Sequence, residues 1–97
     1  MTSLRLLREA RSELRTVTLF YEAAQPGLGR ALVHEVRRAL RFVRSCPHGG
    51  RSVQADIRVR PVGRFPYRIY YRSTPDEIVV VAIGHLRRRP GYWAGRR

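Results

Sequence analysis

Lysine is missing from this chain: all twenty of its basic residues are arginine. Carboxylates are scarce, seven against those twenty cations, which leaves a formal net charge of +13. Cysteine occurs once, at Cys46, so no internal disulfide can form and no second thiol can complete a zinc knuckle; the residue reads as a small apolar one near a helix end. No apolar run approaches the ~18 residues of a membrane span. The opening segment MTSLRLLREA lacks the long apolar core of a secretory signal, and the expected location is the cytoplasm. No glycine-rich loop is followed by lysine, no His/Cys pairs have metal-ligand spacing, and no nucleophile elbow is present. Asp76 and Glu77 lie in a turn-forming stretch where solvation explains them. These gaps argue against P-loop, metal-dependent and hydrolase-type enzymes, and neither cofactor nor metal is expected.

What is present suits one compact domain spanning residues 1–97. With 43% apolar residues, such a chain should bury roughly 60–68% of its unfolded surface. The surplus of arginine sets up a strong positive field, for which nucleic acid, an acidic protein segment or an anionic membrane would be natural partners. Guanidinium pairs bidentately with phosphate and carboxylate, stacks on bases and stays charged near neutral pH.

Periodicity orders the elements. Leu4 and Leu6 alternate and permit a short edge strand. Ala10, Leu14, Val17, Tyr21 and Ala24 fall on one stripe of a helix, with Arg8, Arg11, Glu13 and Arg15 on its solvated faces. QPGLG breaks that pattern, with Pro26 suited to the first turn of a second helix. Leu28, Leu32, Val36, Ala39, Leu40 and Val43 form its stripe, which stops at SCPHGG. So short a connection favours an antiparallel helical hairpin. Ile57 and Val59 then alternate with Arg58 and Arg60, a half-buried strand limited by Pro61, Gly63 and Pro66.

Tyr67 to Arg72 is a further strand, with Tyr67, Ile69 and Tyr71 on one face and Arg68, Tyr70 and Arg72 on the other. Tyr70 is the aromatic least committed to the core if the helices cover the opposite side. STPDE is a turn. Ile78 to Ile83, apolar at every position, suits an interior strand covered on one face and flanked by neighbours. The expected fold is α+β: a short N-terminal strand, an antiparallel helical hairpin, then a three-stranded, mostly antiparallel sheet, in the order β-α-α-β-β-β.

In that order, REARSEL, YEAAQPGLGRAL, GRFPYRIYYR, DEIVVVAIGH and RRRPGYW resemble the ParE/RelE superfamily of toxins from type II toxin-antitoxin modules over nearly the whole chain. The resemblance implies growth inhibition neutralised by a cognate antitoxin whose tail wraps the toxin. It leaves two mechanisms open. ParE-type toxins act on DNA gyrase and are not enzymes, whereas RelE-type toxins enter the ribosome and cleave mRNA without a metal. His85-x-x-Arg88 and the QPGLG junction look ParE-like. Arg68 stands where RelE-like nucleases place a phosphate-binding arginine, and Tyr92, eight residues beyond Gly84, matches a tyrosine in their tail. The arginine expected two residues after that glycine is Leu86, which only Arg87 or Arg88 could replace. The nucleases' lysines are absent, leaving Arg58 and Arg60 as substitutes. These departures weigh toward the ParE-type mechanism, with RNA cleavage as the alternative and an inactive toxin-derived binding module as a third.

The candidate residues have plainer readings beside the functional ones. Metal-free RNA cleavage needs a base, cations on the transition state and a leaving-group donor, and Arg68, His85, Arg88 and Tyr92 supply those groups if they converge. His85 also continues an apolar strand, where backbone can satisfy its imidazole. Arg87, Arg88 and Arg89 form either a solvated face or, beside Pro90 and the aromatics, a handle for nucleic acid or a partner. Arg58, Arg60, Tyr70 and Trp93 join Arg87 and Arg89 as candidates for such a surface. Tyr92 and Trp93 weigh toward anchors that the Pro90-Gly91 turn folds back onto the core.

Overall fold

The computed structural model describes residues 2–54 and 56–96. The elements run β1 (Ser3–Leu6), α1 (Arg8–Ala24), α2 (Leu28–Ser45), β2 (Arg51–Gln54), β3 (Ile57–Pro61), β4 (Tyr67–Ser73) and β5 (Glu77–His85). Glycine sets the junction between the helices. Gly27 takes φ 91° as the residue before α2, a left-handed conformation that costs other residues a Cβ clash. The helix therefore begins at Leu28, and Pro26 lies in the preceding turn rather than in the helix. At Gly29 a Cβ would meet the Thr18 carbonyl oxygen at 2.6 Å, so only glycine admits this approach of α2 to α1. The Glu22 carboxylate accepts the N–H groups of Gly27 at 2.9 Å and Gly29 at 3.0 Å. A side chain near the end of one helix thus satisfies donors at the start of the next.

The sheet has five strands, not three, in the order β1-β5-β4-β3-β2. β1 pairs parallel with β5, and the remaining neighbours are antiparallel. The added members are β1, which joins the same sheet, and β2, whose Arg-Ser-Val-Gln offers a single apolar side chain and so no alternation to read. It is an edge strand with a bulge between Ser52 and Gln54.

The interior strand β5 is buried on both faces, not on one. Ile78, Val80 and Ile83 pack with Ala10, Leu32, Val36, Ala39 and Val43 of the helices. Val79, Val81 and Ala82 pack on the other side with Ile57, Val59, Tyr70 and Trp93. Consecutive Val81 and Ala82 share that side because Tyr70 pairs with Ala82 while Tyr71 pairs with Val80, so Val81 is the extra residue of a bulge. An unbroken apolar run is what burial on both faces requires. The second cover is supplied by the C-terminal segment: Trp93 is 7% exposed and lies 5.5 Å, centroid to centroid, from Tyr70. Tyr70, at 8% exposure, is accordingly core and not a free aromatic.

Candidate functional site: an arginine-lined groove and a clasped C-terminal tail

β1 stops pairing with β5 at Val80, where the Leu7 N–H reaches the Val80 carbonyl at 2.9 Å. Beyond that point two side chains take the place of a strand. Glu13 of α1 accepts the Ile83 N–H at 3.0 Å, and Arg96 donates to the Val81 carbonyl at 3.0 Å. The two also form a bidentate ion pair, both bonds 2.9 Å, with side chains only 19% and 17% exposed. Glu13 is therefore a tail anchor and not a solvated helix residue. Between Trp93 and this pair, Tyr92 packs edge-on to Tyr70 and its ring lies under the Arg88 guanidinium at 3.9 Å. Its hydroxyl is buried with no hydrogen-bond partner among the described residues, over the spot where a Cβ on Gly84 would sit. Burial pushes its pKa from 10.0 up to about 12.

Register separates the remaining candidates. Tyr67 and His85 are cross-strand partners, and Tyr67 packs with the helices. His85 stacks edge-on to Tyr67 at 5.2 Å, and its Nδ1 accepts the Arg87 N–H at 3.0 Å, which commits one ring nitrogen as an acceptor. With Arg88 it borders a cavity of about 230 Å³ between α1 and β5 that also meets Ser12, Glu13 and Thr16. Arg68 pairs with Gly84 and lies on the face away from the helices, two residues from Tyr70. There it lines a groove of about 710 Å³ together with Arg51 and Arg64, over Val59, Pro61 and Leu86. Arg51, Arg64 and Arg68 make no ion pair or side-chain hydrogen bond among the described residues.

Arg58 and Arg60 face the helices, and Arg60 also lines the groove beside Arg51, Arg64 and Arg68. Arg58 donates to the Gly50 carbonyl at 2.8 Å, holding the loop after α2, and Arg60 stacks on Phe42 at 3.7 Å. Arg87 and Arg89 are exposed. The structure thus groups His85 with Arg88, groups Arg68 with Arg51, Arg60 and Arg64, and packs Tyr92 and Trp93 of the tail against Tyr70 of β4. Arg51, Arg64, Glu13 and Arg96 were not singled out from sequence. The first two sit in GGRS and VGRF, stretches without apolar periodicity, at the start of β2 and in the turn before β4, and the pairing of the last two spans the whole fold. Among the described residues no group of three His, Cys, Asp or Glu could hold a metal ion, and no helix is long and apolar enough to cross a membrane.

Residues 4–90 match the family described as the ParE toxin of the type II toxin-antitoxin system, parDE. The chain belongs to the ParE toxin family. Membership brings an antitoxin as partner. A solved structure, the chromosomal ParDE toxin-antitoxin system from P. aeruginosa, shares the fold of this ParE-family chain with a TM-score of 0.76 at 20% identity, covering 88% of this chain and 96% of that one. No curated protein matches the sequence.

Proposed function

We propose that this ParE-family toxin inhibits growth by docking on DNA gyrase and is not an RNA-cleaving enzyme. The observation that carries the reading is that Arg68 and His85 lie on opposite faces of the sheet, and that the Tyr92 hydroxyl, although it sits over Gly84, the cross-strand partner of Arg68, is buried and holds its proton. Cutting RNA without a metal requires a base, cationic stabilisation and a leaving-group donor around one phosphate. A docking surface needs no such convergence. The groove offers Arg51, Arg64 and Arg68 over an apolar floor, a combination suited to a protein segment carrying carboxylates and an apolar side chain.

The cognate antitoxin would exploit the same chemistry, laying an acidic and partly apolar segment along the groove. Either target would place the toxin in the cytoplasm. RelE-type cleavage in the ribosome is the second reading, favoured by the one observation that Arg51, Arg64 and Arg68 line one groove and make no ion pair or side-chain hydrogen bond among the described residues. A toxin-derived binding module without toxicity is the third, and it predicts that expression of the chain alone leaves growth unchanged.

Gyrase supercoiling and ribosome-dependent mRNA cleavage, each measured with the wild type, Arg68→Ala and Tyr92→Phe, separate the first two. Supercoiling should be inhibited by the wild type and by Tyr92→Phe, with no cleavage by any of them. Cleavage lost on either substitution would overturn the gyrase reading.

A further inference from the structure

α2 carries five arginines and a single carboxylate. Arg30, His34, Arg37, Arg41 and Arg44 follow one another at spacings of four, three, four and three, so they form one stripe along the helix. All five are exposed, and the stripe lies about half a turn from the buried Leu32, Val36, Ala39 and Val43. The carboxylate, Glu35, stands off the stripe and pairs with Arg38 at 3.4 Å. Arg30, Arg37, Arg41 and Arg44 make no ion pair among the described residues. Arg44 donates to the Thr2 carbonyl at 3.0 Å, a neutral partner that leaves its charge in place. Like charges three and four residues apart destabilise a helix, and Arg30 sits in the first turn, where the helix dipole opposes a cation. The stripe therefore works against α2, and only a counter-charge from outside the chain offsets it.

We propose that this stripe binds the phosphate backbone of duplex DNA, without regard to base sequence. Three observations choose the occupant. The stripe contains no apolar side chain, and a protein partner would need an apolar centre to anchor on, whereas a phosphate backbone needs only cations at regular spacing. A single strand is held by stacking its bases on open aromatic rings. α2 presents none, because Phe42 lies beneath the Arg60 guanidinium at 3.7 Å, and the exposed Phe20 belongs to α1. Arg30 and Arg44 stand roughly 21 Å apart along the helix axis, a length over which a duplex offers phosphates every few ångströms, so the four arginines can each engage one. The stripe is separate from the groove over Arg51, Arg64 and Arg68, and the inference does not rest on the gyrase reading.

Fluorescence anisotropy of the full chain, purified alone and with gyrase absent, tests this against two unrelated duplexes of about 20 base pairs, a single strand of the same length, and polyglutamate. Both duplexes should bind alike, within about twofold, and more tightly than the other two ligands. The slope of log K against log salt should be roughly −3 to −4, for about four phosphates. Arg37→Ala/Arg41→Ala should flatten that slope by about 2 and weaken binding about tenfold or more, with circular dichroism unchanged. Arg87→Ala/Arg89→Ala removes the same charge from the tail and should cost less than about threefold. Equal losses from the two pairs would trace the binding to the overall +13 rather than to a site and overturn the proposal. So would a single strand or polyglutamate bound as tightly as duplex. An α2 variant that keeps its duplex affinity and loses the antitoxin would likewise overturn it, assigning the stripe to the antitoxin.

Discussion

Replacing Glu13 by alanine should open the C-terminal clasp. Three hydrogen bonds converge on this carboxylate, two from Arg96 at 2.9 Å and one from the Ile83 N–H at 3.0 Å. Their loss leaves a half-buried backbone donor unpaired, at a cost of about 1–3 kcal/mol. Severing a fully buried ion pair costs about 3–5 kcal/mol. Here the two side chains retain 19% and 17% of their exposure and Arg96 can swing into water, so the total should settle at about 2–3 kcal/mol. In a domain of this size that lowers Tm by roughly 10–20 °C.

Urea denaturation of Glu13→Ala, Arg96→Met and the double variant measures the effect and the coupling, which should reach about 1 kcal/mol or more. Trp93 is the sole tryptophan, so its emission reports the tail directly and should shift to the red in Glu13→Ala. A destabilisation below about 0.5 kcal/mol, or additive single costs, would show that the pair does not hold the tail.

Tyr92→Phe removes a buried hydroxyl that has no partner among the described residues and should leave stability unchanged or raise it by up to about 1 kcal/mol in chemical denaturation. In the wild type that phenol keeps its proton to about pH 12 while the unfolded chain releases it near its ordinary 10.0, so stability should fall as pH rises across that window. Phenolate absorbance should show the late-titrating group in the wild type and not in Tyr92→Phe. Gly84→Ala would drive a methyl into the Tyr92 ring and should cost about 2–3 kcal/mol; adding Tyr92→Ala should cost less than the sum, and strict additivity would contradict the contact. Glu22 is held below its ordinary 4.5, first by the Gly27 N–H. Its contribution is therefore complete above that value and is lost as pH falls through the lower, folded one. A carbon-detected titration of its carboxyl should give a midpoint under 4.5, and an unshifted midpoint would mean the helix junction is open in solution.

The helical hairpin was legible because its stripes are long and its junction is punctuated by proline and glycine. Ala10, Leu32, Val36, Ala39 and Val43 all pack where the spacing places them. β4 was equally clear, with Ile69 and Tyr71 on the helix side and Tyr70 opposite. β2 was hidden because a four-residue edge strand with one half-buried valine carries no period. The candidate site was less legible, since side chains that alternate in sequence are separated by the thickness of a sheet. Arg68 and His85 read as neighbours at the end of one hairpin, yet antiparallel register pairs His85 with Tyr67 and sends Arg68 to the other face. Arg51 and Arg64 join Arg68 only because β2 and the turn before β4 border the same groove.

The tail follows from β5. A strand apolar at every position from Ile78 to Ile83 cannot face water on either side, and the two helices cover just one. Something else must seal Val79, Val81 and Ala82, and the segment after His85 is the piece of chain that does so, with Trp93 over Tyr70 and the Arg96–Glu13 pair closing the strand's open edge. Tyr92 and Trp93 are spent on that cover. The arginines are under no such constraint, because a guanidinium reaches solvent over apolar neighbours. Packing therefore draws the tail aromatics under cover and leaves Arg51, Arg60, Arg64 and Arg68 lining the groove.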